Sequence, residues 1–337
     1  MAYIEIIATT ISGSIADWSK VKRIVPLFHK HGFTDVNLVE VSSHKEARDA
    51  ARAALENSCR YPISAGGSGT FRAVLEGCIH SGYPLSDIRL GFLRKGSADL
   101  IGKTLGMPDE IEESVRVLAE AIRNDSWASA DILTAQIRSD CVRTHYFIGY
   151  GGTGIFGRIP YYTENRFRKL YKGVLGQFFG DLGPFATGMG LALVEKIIKS
   201  VYLQPQITEI LVDGEPVAEG RYQAVIVVNG YLGPDLPFSI KPLGSGEFYI
   251  FGIRDMGFFK SVRQAKQALR GTISEHRVEL GFESYVAKRR LELRNKSNPL
   301  FPVNIDGSME MTDNVVIFGR DGNVPLLISG KTADNTA

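Results

Sequence analysis

The chain lacks the patterns that announce several large classes of function. Among its 337 residues there are only three cysteines, Cys59, Cys78 and Cys141, scattered and without CxxC spacing. That excludes a disulfide framework or cysteine zinc site and points to a reducing cytoplasm. The six histidines form no HExxH pattern. His29 and His31, at a helix end, read as solvated, so metal-hydrolase and zinc-site chemistry are set aside. No run is long and apolar enough to span a membrane. Met1-Ala2-Tyr3-Ile4-Glu5-Ile6-Ile7 holds an acid within its apolar run and has no basic segment before it. It reads as a first strand rather than an export signal. A net charge of +2 without a polybasic or aromatic-basic stripe removes nucleic acid from the expected partners.

What is present is a hydrophobic content of 44% over 337 residues, enough for a full core and about two domains. The first part alternates: a strand over Ile4 to Ala8, a helix from about Trp18 to His31, a strand over Val36 to Val41, a helix from Lys45 to Leu55, and a strand over Tyr61 to Ser64. A strand from Ile88 to Leu93 and an amphipathic helix from Glu110 to Ile122 follow. Such alternation predicts a parallel sheet covered by helices on both faces.

From about Asp131 the texture becomes strand-like, over Ile132 to Ile137, His145 to Tyr150, Glu209 to Val212, Tyr222 to Val228, Glu247 to Ile253 and Val315 to Ile317. Pro160 to Tyr202 reads instead as helical and glycine-interrupted. The expected organisation is a doubly wound α/β domain over 1–128 and a β-rich, sandwich-like domain with a helical insertion over 129–317, with a cleft between them. A segment near 318–330 is expected to return to the first domain, and 330–337 to form a disordered tail.

The most informative run is Ala65-Gly66-Gly67-Ser68-Gly69-Thr70, which joins an apolar segment to a helix expected from Phe71 to His80. Glycines let the backbone approach a ligand closely, and the free N–H groups and dipole of a helix N-terminus favour an anion. Plain tight packing uses the same kind of turn, and both readings stand at this point. The spacing is neither the Walker pattern, which needs a Lys-Ser/Thr pair, nor Gly-x-Gly-x-x-Gly.

Taken in order, these elements resemble the diacylglycerol kinase catalytic-domain superfamily, which includes soluble bacterial lipid kinases and sphingosine kinases and is distantly related to NAD kinases. Thr9-Thr10-Ile11-Ser12-Gly13 stands for the family's Asn-Pro-x-Ser-Gly turn, and Gly66-Gly67-Ser68-Gly69-Thr70 for its Gly-Gly-Asp-Gly-Thr loop. Arg94-Lys95-Gly96-Ser97-Ala98-Asp99-Leu100 is similar to its Pro-x-Gly-Thr-x-Asn-Asp segment. Ser42 and Ser43 match a segment that faces the nucleotide ribose in relatives. Ala130-Asp131-Ile132, Phe147 to Gly152, Val228-Asn229-Gly230 and Asn304-Ile305-Asp306-Gly307-Ser308 continue the likeness.

The resemblance implies ATP-dependent transfer of a phosphoryl group to a lipid hydroxyl in the cytoplasm, with Mg²⁺ and with peripheral contact at a membrane. It implies nucleotide contacts from Thr9, Ser12, Gly13, Ser43, Gly66, Gly67, Gly69, Thr70, Gly96, Ser97 and Asp99. The sequence departs from the family where charge is needed. Ser68 replaces the acid of the nucleotide loop, and Ser308 replaces the glutamate of the Asp-Gly-Glu turn. A neutral hydroxyl is a poor ligand for a hard cation and a weak base. The acidic Mg²⁺-binding segment is eroded as well, reading Pro242-Leu243-Gly244-Ser245-Gly246-Glu247, so the metal ligands are unknown.

Catalytic candidates are therefore Ser68, Asp306 and Glu310, the last as a substitute base, beside the readings of Asp306 as a turn cap and Glu310 as a solvated acid. Asp213-Gly214-Glu215 imitates the family's acidic turn but reads as a hairpin. Arg94 and Lys95 are candidates for phosphate contact. Arg166, Arg168, Lys169 and Lys172, with Phe167, Tyr171, Phe178 and Phe179, form either a membrane-facing surface or a solvated helix face. Two other functions remain: a catalytically impaired nucleotide- or lipid-binding regulator, and a kinase of a soluble acceptor such as NAD. A homodimer is among the assemblies left open.

Overall fold

The computed structural model describes residues 3–9, 21–94, 100–164, 207–232, 239, 241–269, 277–296 and 300–329. Several sequence expectations fall elsewhere. Ser12, Gly13, Lys95, Gly96, Ser97, Asp99, the basic-aromatic stretch from Arg166 to Phe179 and the 330–337 tail all lie outside the described residues. By compactness the chain divides into two units. One comprises Met1–Ile132, Pro242–Gly244 and Gly322–Ala337, and the other Leu133–Lys241 and Ser245–Asp321.

The first unit is built on a four-stranded parallel sheet of β1 (Ile4–Thr9), β2 (Val36–Val41), β3 (Tyr61–Gly66) and β4 (Gly91–Arg94), in the order β2-β1-β3-β4. Every residue of β1 and β3 is buried, as expected where helices cover both faces of a parallel sheet. Helices α1 (Ile24–Lys30), α2 (His44–Glu56) and α3 (Ser68–His80) follow β1, β2 and β3, and α4 (Leu100–Thr104) and α5 (Ile111–Arg123) follow β4. Helix α2 packs on α3, and α1 on α5. Helix α1 is described from Ile24, and the expected start near Trp18 lies outside the described residues.

In the strand order 2-1-3-4 the chain leaves β1 in one direction to reach β2 and then returns past it to β3. The topological switch point, where open α/β sheets bind ligands, therefore lies at the carboxyl ends of β1 and β3. Leu90 adds a parallel bridge to Leu326, with Leu90 N donating to Pro325 O and Leu327 N to Leu90 O.

The second unit is antiparallel. Its strands are β5 (Trp127–Arg138), which begins in the first unit, β6 (Val142–Phe147), β7 (Tyr150–Gly154), β8 (Ile207–Val212), β9 (Glu215–Val228), β10 (Phe248–Arg254), β11 (Phe282–Ala287), β12 (Arg290–Asn295), β13 (Phe301–Ile305), β14 (Ser308–Thr312) and β15 (Val315–Leu327), which ends in the first unit from Gly322 on. Helices α6 (Ile155–Glu164) and α7 (Phe258–Leu269) accompany them. Strand β9 does double duty. Its first half pairs with β8, and its second half pairs with β7 and β10. One core joins the two parts, with Ile210, Val225, Phe248, Leu291, Val303 and Phe318 buried together.

Two expectations are corrected here. The strand read over His145 to Tyr150 is two strands, broken at Ile148 and Gly149, because the amides of 148–150 are bound by a side chain instead of a neighbouring strand. Strand β15 runs ten residues past Ile317, to Leu327.

Candidate functional site

Helix α3 begins earlier than its sequence suggests. Gly66 ends β3, Gly67 is the N-cap in an extended conformation, and Ser68, Gly69 and Thr70 form the first helical turn rather than a loop. Gly67, Ser68 and Gly69 are half-buried, and no side chain caps this end of the helix. The amides at the start of α3 thus face outward at the switch point with the positive end of the helix dipole, an arrangement that suits a phosphate.

Close approach excludes a side chain at Gly66 and crowds one at Gly69. A Cβ on Gly66 would lie 2.5 Å from Thr70 Oγ1, and one on Gly69 would lie 3.0 Å from His44 Nε2. Thr70 was expected to offer its hydroxyl to phosphate. Its side chain is instead 0% exposed and packs over Gly66, so it shapes the turn. Thr9, at the end of β1, is likewise buried.

Ser43 caps α2, its Oγ accepting from Glu46 N at 3.1 Å. The Glu46 carboxylate accepts from Ser42 N and Ser42 Oγ, each at 2.7 Å, a variant of the reciprocal capping box. These donors, the Ser42 hydroxyl first, hold the Glu46 carboxyl below its usual range. Ser43 is therefore engaged in starting the helix.

His44, which the sequence did not single out, begins α2. Its Nε2 is buried without a hydrogen-bond partner. Burial, then the Arg72 and Arg48 guanidinium groups, push the imidazole pKa down against a smaller upward pull from Glu76. Arg48 Nη1 pairs with Glu76 Oε2 at 3.0 Å, and Arg72 Nε lies 4.0 Å from Glu76 Oε1. No sequence signal reports this cluster, because it arises only where α2 crosses α3.

In the second unit, Asp306, Ser308 and Glu310 lie in the β13–β14 hairpin. Asp306, at φ +45°, and Gly307, at φ +84°, form its two-residue turn, the conformation that Asp-Gly favours. Asp306 is corrected as a base candidate. Its carboxylate is 1% exposed and accepts from the amides of Ile148, Gly149 and Tyr150 at 3.2, 3.3 and 2.8 Å. Three donors fix it as a structural acceptor.

Ser308 and Glu310 are half-buried and, two residues apart on β14, share one face. The Glu310 charge helps to raise the pKa of Arg143, though Cys141 contributes more. Asp213-Gly214 forms the β8–β9 hairpin, as its sequence suggests.

Among the described residues no group of three or more His, Cys, Asp or Glu side chains is gathered to hold a metal ion. The cavity lined by Thr153, Thr208, Tyr222, Leu293, Asn295 and Phe301 has a volume of about 10 Å³, room for roughly one water. No helix among the described residues is long and apolar enough to cross a membrane.

Residues 4–135 match the model of the diacylglycerol kinase catalytic domain. A diacylglycerol kinase structure from Bacillus anthracis str. Sterne aligns over 98% of this chain and 98% of its own, with a TM-score of 0.65 at 16% identity. Another structure from that organism, described as a candidate diacylglycerol kinase, reaches 0.69 at 18% identity over 98% and 96%. An NAD kinase from Archaeoglobus fulgidus, in complex with ATP, aligns over 98% and 96% with a TM-score of 0.51 at 12% identity. No curated protein matches the sequence. The chain therefore resembles the diacylglycerol kinase catalytic-domain superfamily twice, through the sequence of residues 4–135 and through the fold over nearly its whole length, with NAD kinases as more distant relatives in fold.

Proposed function

We propose that the protein is an ATP-dependent kinase acting on a lipid hydroxyl, at work in the cytoplasm and at membrane surfaces. The observation that carries this reading is the uncapped, half-exposed start of α3 at the β1/β3 switch point, within the segment that matches the diacylglycerol kinase catalytic domain. ATP would supply the transferable phosphoryl group. The amides of Ser68 and Gly69 would hold its phosphates through charge-assisted hydrogen bonds. Glu310, on the same face of β14 as Ser308, is the carboxylate that would take the acceptor's proton. Family chemistry calls for Mg²⁺, but the described residues form no acidic cluster to receive it, and no step is assigned to it.

One observation favours a second reading, a nucleotide- or lipid-binding regulator of the same fold. Ser68 and Ser308 carry no charge, and the carboxylate of Asp306 is committed to three amides. Incubation with labelled ATP, Mg²⁺ and a panel of diacylglycerols and sphingoid bases, with NAD as a soluble acceptor, separates these readings. Label transfer to a lipid that disappears in Glu310→Gln supports the kinase. ATP binding without transfer to any acceptor supports the regulator, and activity gained in Ser68→Asp with Ser308→Glu would show that lost charge alone had silenced the scaffold. Failure of ATP to bind at all would overturn the kinase, and failure of both ATP and the lipids to bind would overturn both readings.

A further inference from the structure

His44, the first residue of α2, abuts the first turn of α3. A Cβ on Gly69 would lie 3.0 Å from its Nε2 and 3.1 Å from its Cε1, so the ring edge meets the main chain of Gly69 with no side chain between them. The amide nitrogen of Gly69 is two bonds from that Cβ position, which puts the imidazole within about 8 Å of any oxygen that the amide binds. Nε2 itself is buried and makes no hydrogen bond. A polar atom left in that state calls for an explanation beyond packing.

Among the described residues the charged groups that act on the ring come from two helices. Arg48 belongs to α2, and Arg72 and Glu76 belong to α3. Glu76 is shared, with Arg48 Nη1 at 3.0 Å and Arg72 Nε at 4.0 Å. Two guanidinium groups thus face one carboxylate, and the surplus of positive charge opposes a proton on the imidazole. A polyphosphate seated at the start of α3 would reverse that balance. Its charge would enter the same partly buried corner, where Coulomb interactions are screened far less than in water. Binding and protonation then assist each other, because coupling between two bound species is reciprocal.

We propose that His44 links a proton to the nucleotide: ATP phosphate held by the amides of Ser68 and Gly69 draws a proton from solvent onto the imidazole, and ATP therefore binds more tightly in mild acid. His44 acts through its charge, since its Nε2 is enclosed against α3. The inference rests on the reading of the α3 start as the ATP site and adds a regulation that the reading does not contain. The sign follows from the free protein, in which burial, Arg72 and Arg48 keep the ring neutral to lower pH than an ordinary histidine. As pH falls, affinity climbs from the pH where the ATP-bound ring takes its proton to the pH where the free ring is protonated as well.

The test is calorimetric titration of the full chain with ATP between about pH 7.5 and 5.5, for the wild type and for His44→Gln, which cannot titrate. Both proteins meet the same ATP, so protonation of its own phosphates cancels in the comparison. Across this range the wild type should gain about threefold or more in affinity over the variant. In buffers of different ionisation enthalpy it should also take up a fraction of a proton that the variant does not. If His44→Gln does not fold, NMR of the wild type decides: the histidine ring in contact with Gly69 should titrate at higher pH with ATP than without. The inference is overturned, with the ATP site intact, by binding whose pH profile is the same in both proteins or by a ring titration that ATP leaves unmoved. Absence of ATP binding at every pH would instead remove the site, and the inference with it.

Discussion

Asp213 and Asp306 stand at the same position of two separate two-residue hairpin turns and do the same work there. Each has a left-handed backbone, at φ +51° and +45°. Each carboxylate accepts three consecutive main-chain amides from a segment distant in sequence, residues 288–290 for Asp213 and 148–150 for Asp306. A left-handed turn aims the acid sideways, away from its own hairpin, so it fastens a neighbouring connection instead.

For Asp306 the consequence is a large effect on stability. Asp306→Ala removes the acceptor from three amides and places alanine at a positive φ. Unsatisfied buried groups cost about 1–3 kcal/mol each, so chemical unfolding should show a loss of roughly 3 kcal/mol or more. A variant that unfolds like the wild type and loses only turnover would return Asp306 to the role of base.

Asp213 is the more accessible of the pair, and its test is acid. Burial raises its pKa, but the amides of Lys288, Arg290 and Arg289 outweigh that and hold the carboxyl below its usual range. A carboxyl lowered in the folded state stabilises fully above its unfolded value, about 3.9, and the benefit disappears as pH falls through the folded value. The stability difference between wild type and Asp213→Asn, followed by urea unfolding, should therefore shrink below about pH 4. A constant difference across pH would show that the charge is not what binds the amides.

Elements with clean periodicity were legible in the sequence: β1, β2, α2 and β3 lie within a residue or two of their expected limits. The start of α3 was not, because three glycines read as loop when the helix in fact takes in Ser68, Gly69 and Thr70. Strand β12 has alternating Leu291 and Leu293 between charged residues, a period-2 signal that was there to be used. Within the site, the Asp-Gly dipeptides disclosed their turns but not the remote amides they bind. His44 and Thr70 took their roles from packing between elements, which no local pattern records.

Gly66 and Thr70 form a testable pair. A Cβ at Gly66 would sit 2.5 Å from Thr70 Oγ1 and 2.7 Å from Thr70 Cβ, so removing the hydroxyl alone does not make room. Gly66→Ala should cost about 1–3 kcal/mol, the usual range for overpacking. Thr70→Ala, which loses the hydroxyl but keeps Cβ, should not rescue it fully, whereas Thr70→Gly should offset more of the loss, giving a favourable coupling in a double-mutant cycle of unfolding free energies. Strict additivity would mean that the clash is relieved elsewhere.

Gly77 governs the crossing of α2 and α3. A Cβ there would lie 2.4 Å from Arg48 O and 2.7 Å from Ala51 Cβ. Since the first of these is main chain, no rotamer change can yield. Gly77→Ala gains about 1 kcal/mol of helix propensity, yet it must push the helices apart and disturb the Arg48–Glu76 pair. A net loss of stability is expected, read as a lower thermal midpoint, with weaker ATP binding if that cluster supports the α3 turn. A more stable Gly77→Ala would show that α2 can move freely.

His44 offers a pH test of the same cluster. Its imidazole titrates below the ordinary histidine value because it is partly buried and because Arg72 and Arg48 oppose a further positive charge. The folded state therefore favours neutral histidine. Its contribution is fully present above the unfolded value, about 6.5, and is lost as pH falls from there toward the folded value, since the unfolded chain then binds a proton that the folded one refuses. Wild-type stability should drop between about pH 7 and 5 by more than that of His44→Gln, which cannot titrate. Urea unfolding at a series of pH values measures this directly. Parallel wild-type and variant curves would mean that His44 takes up its proton beside Gly69 as readily as in water, and that Arg72 and Arg48 do not govern it.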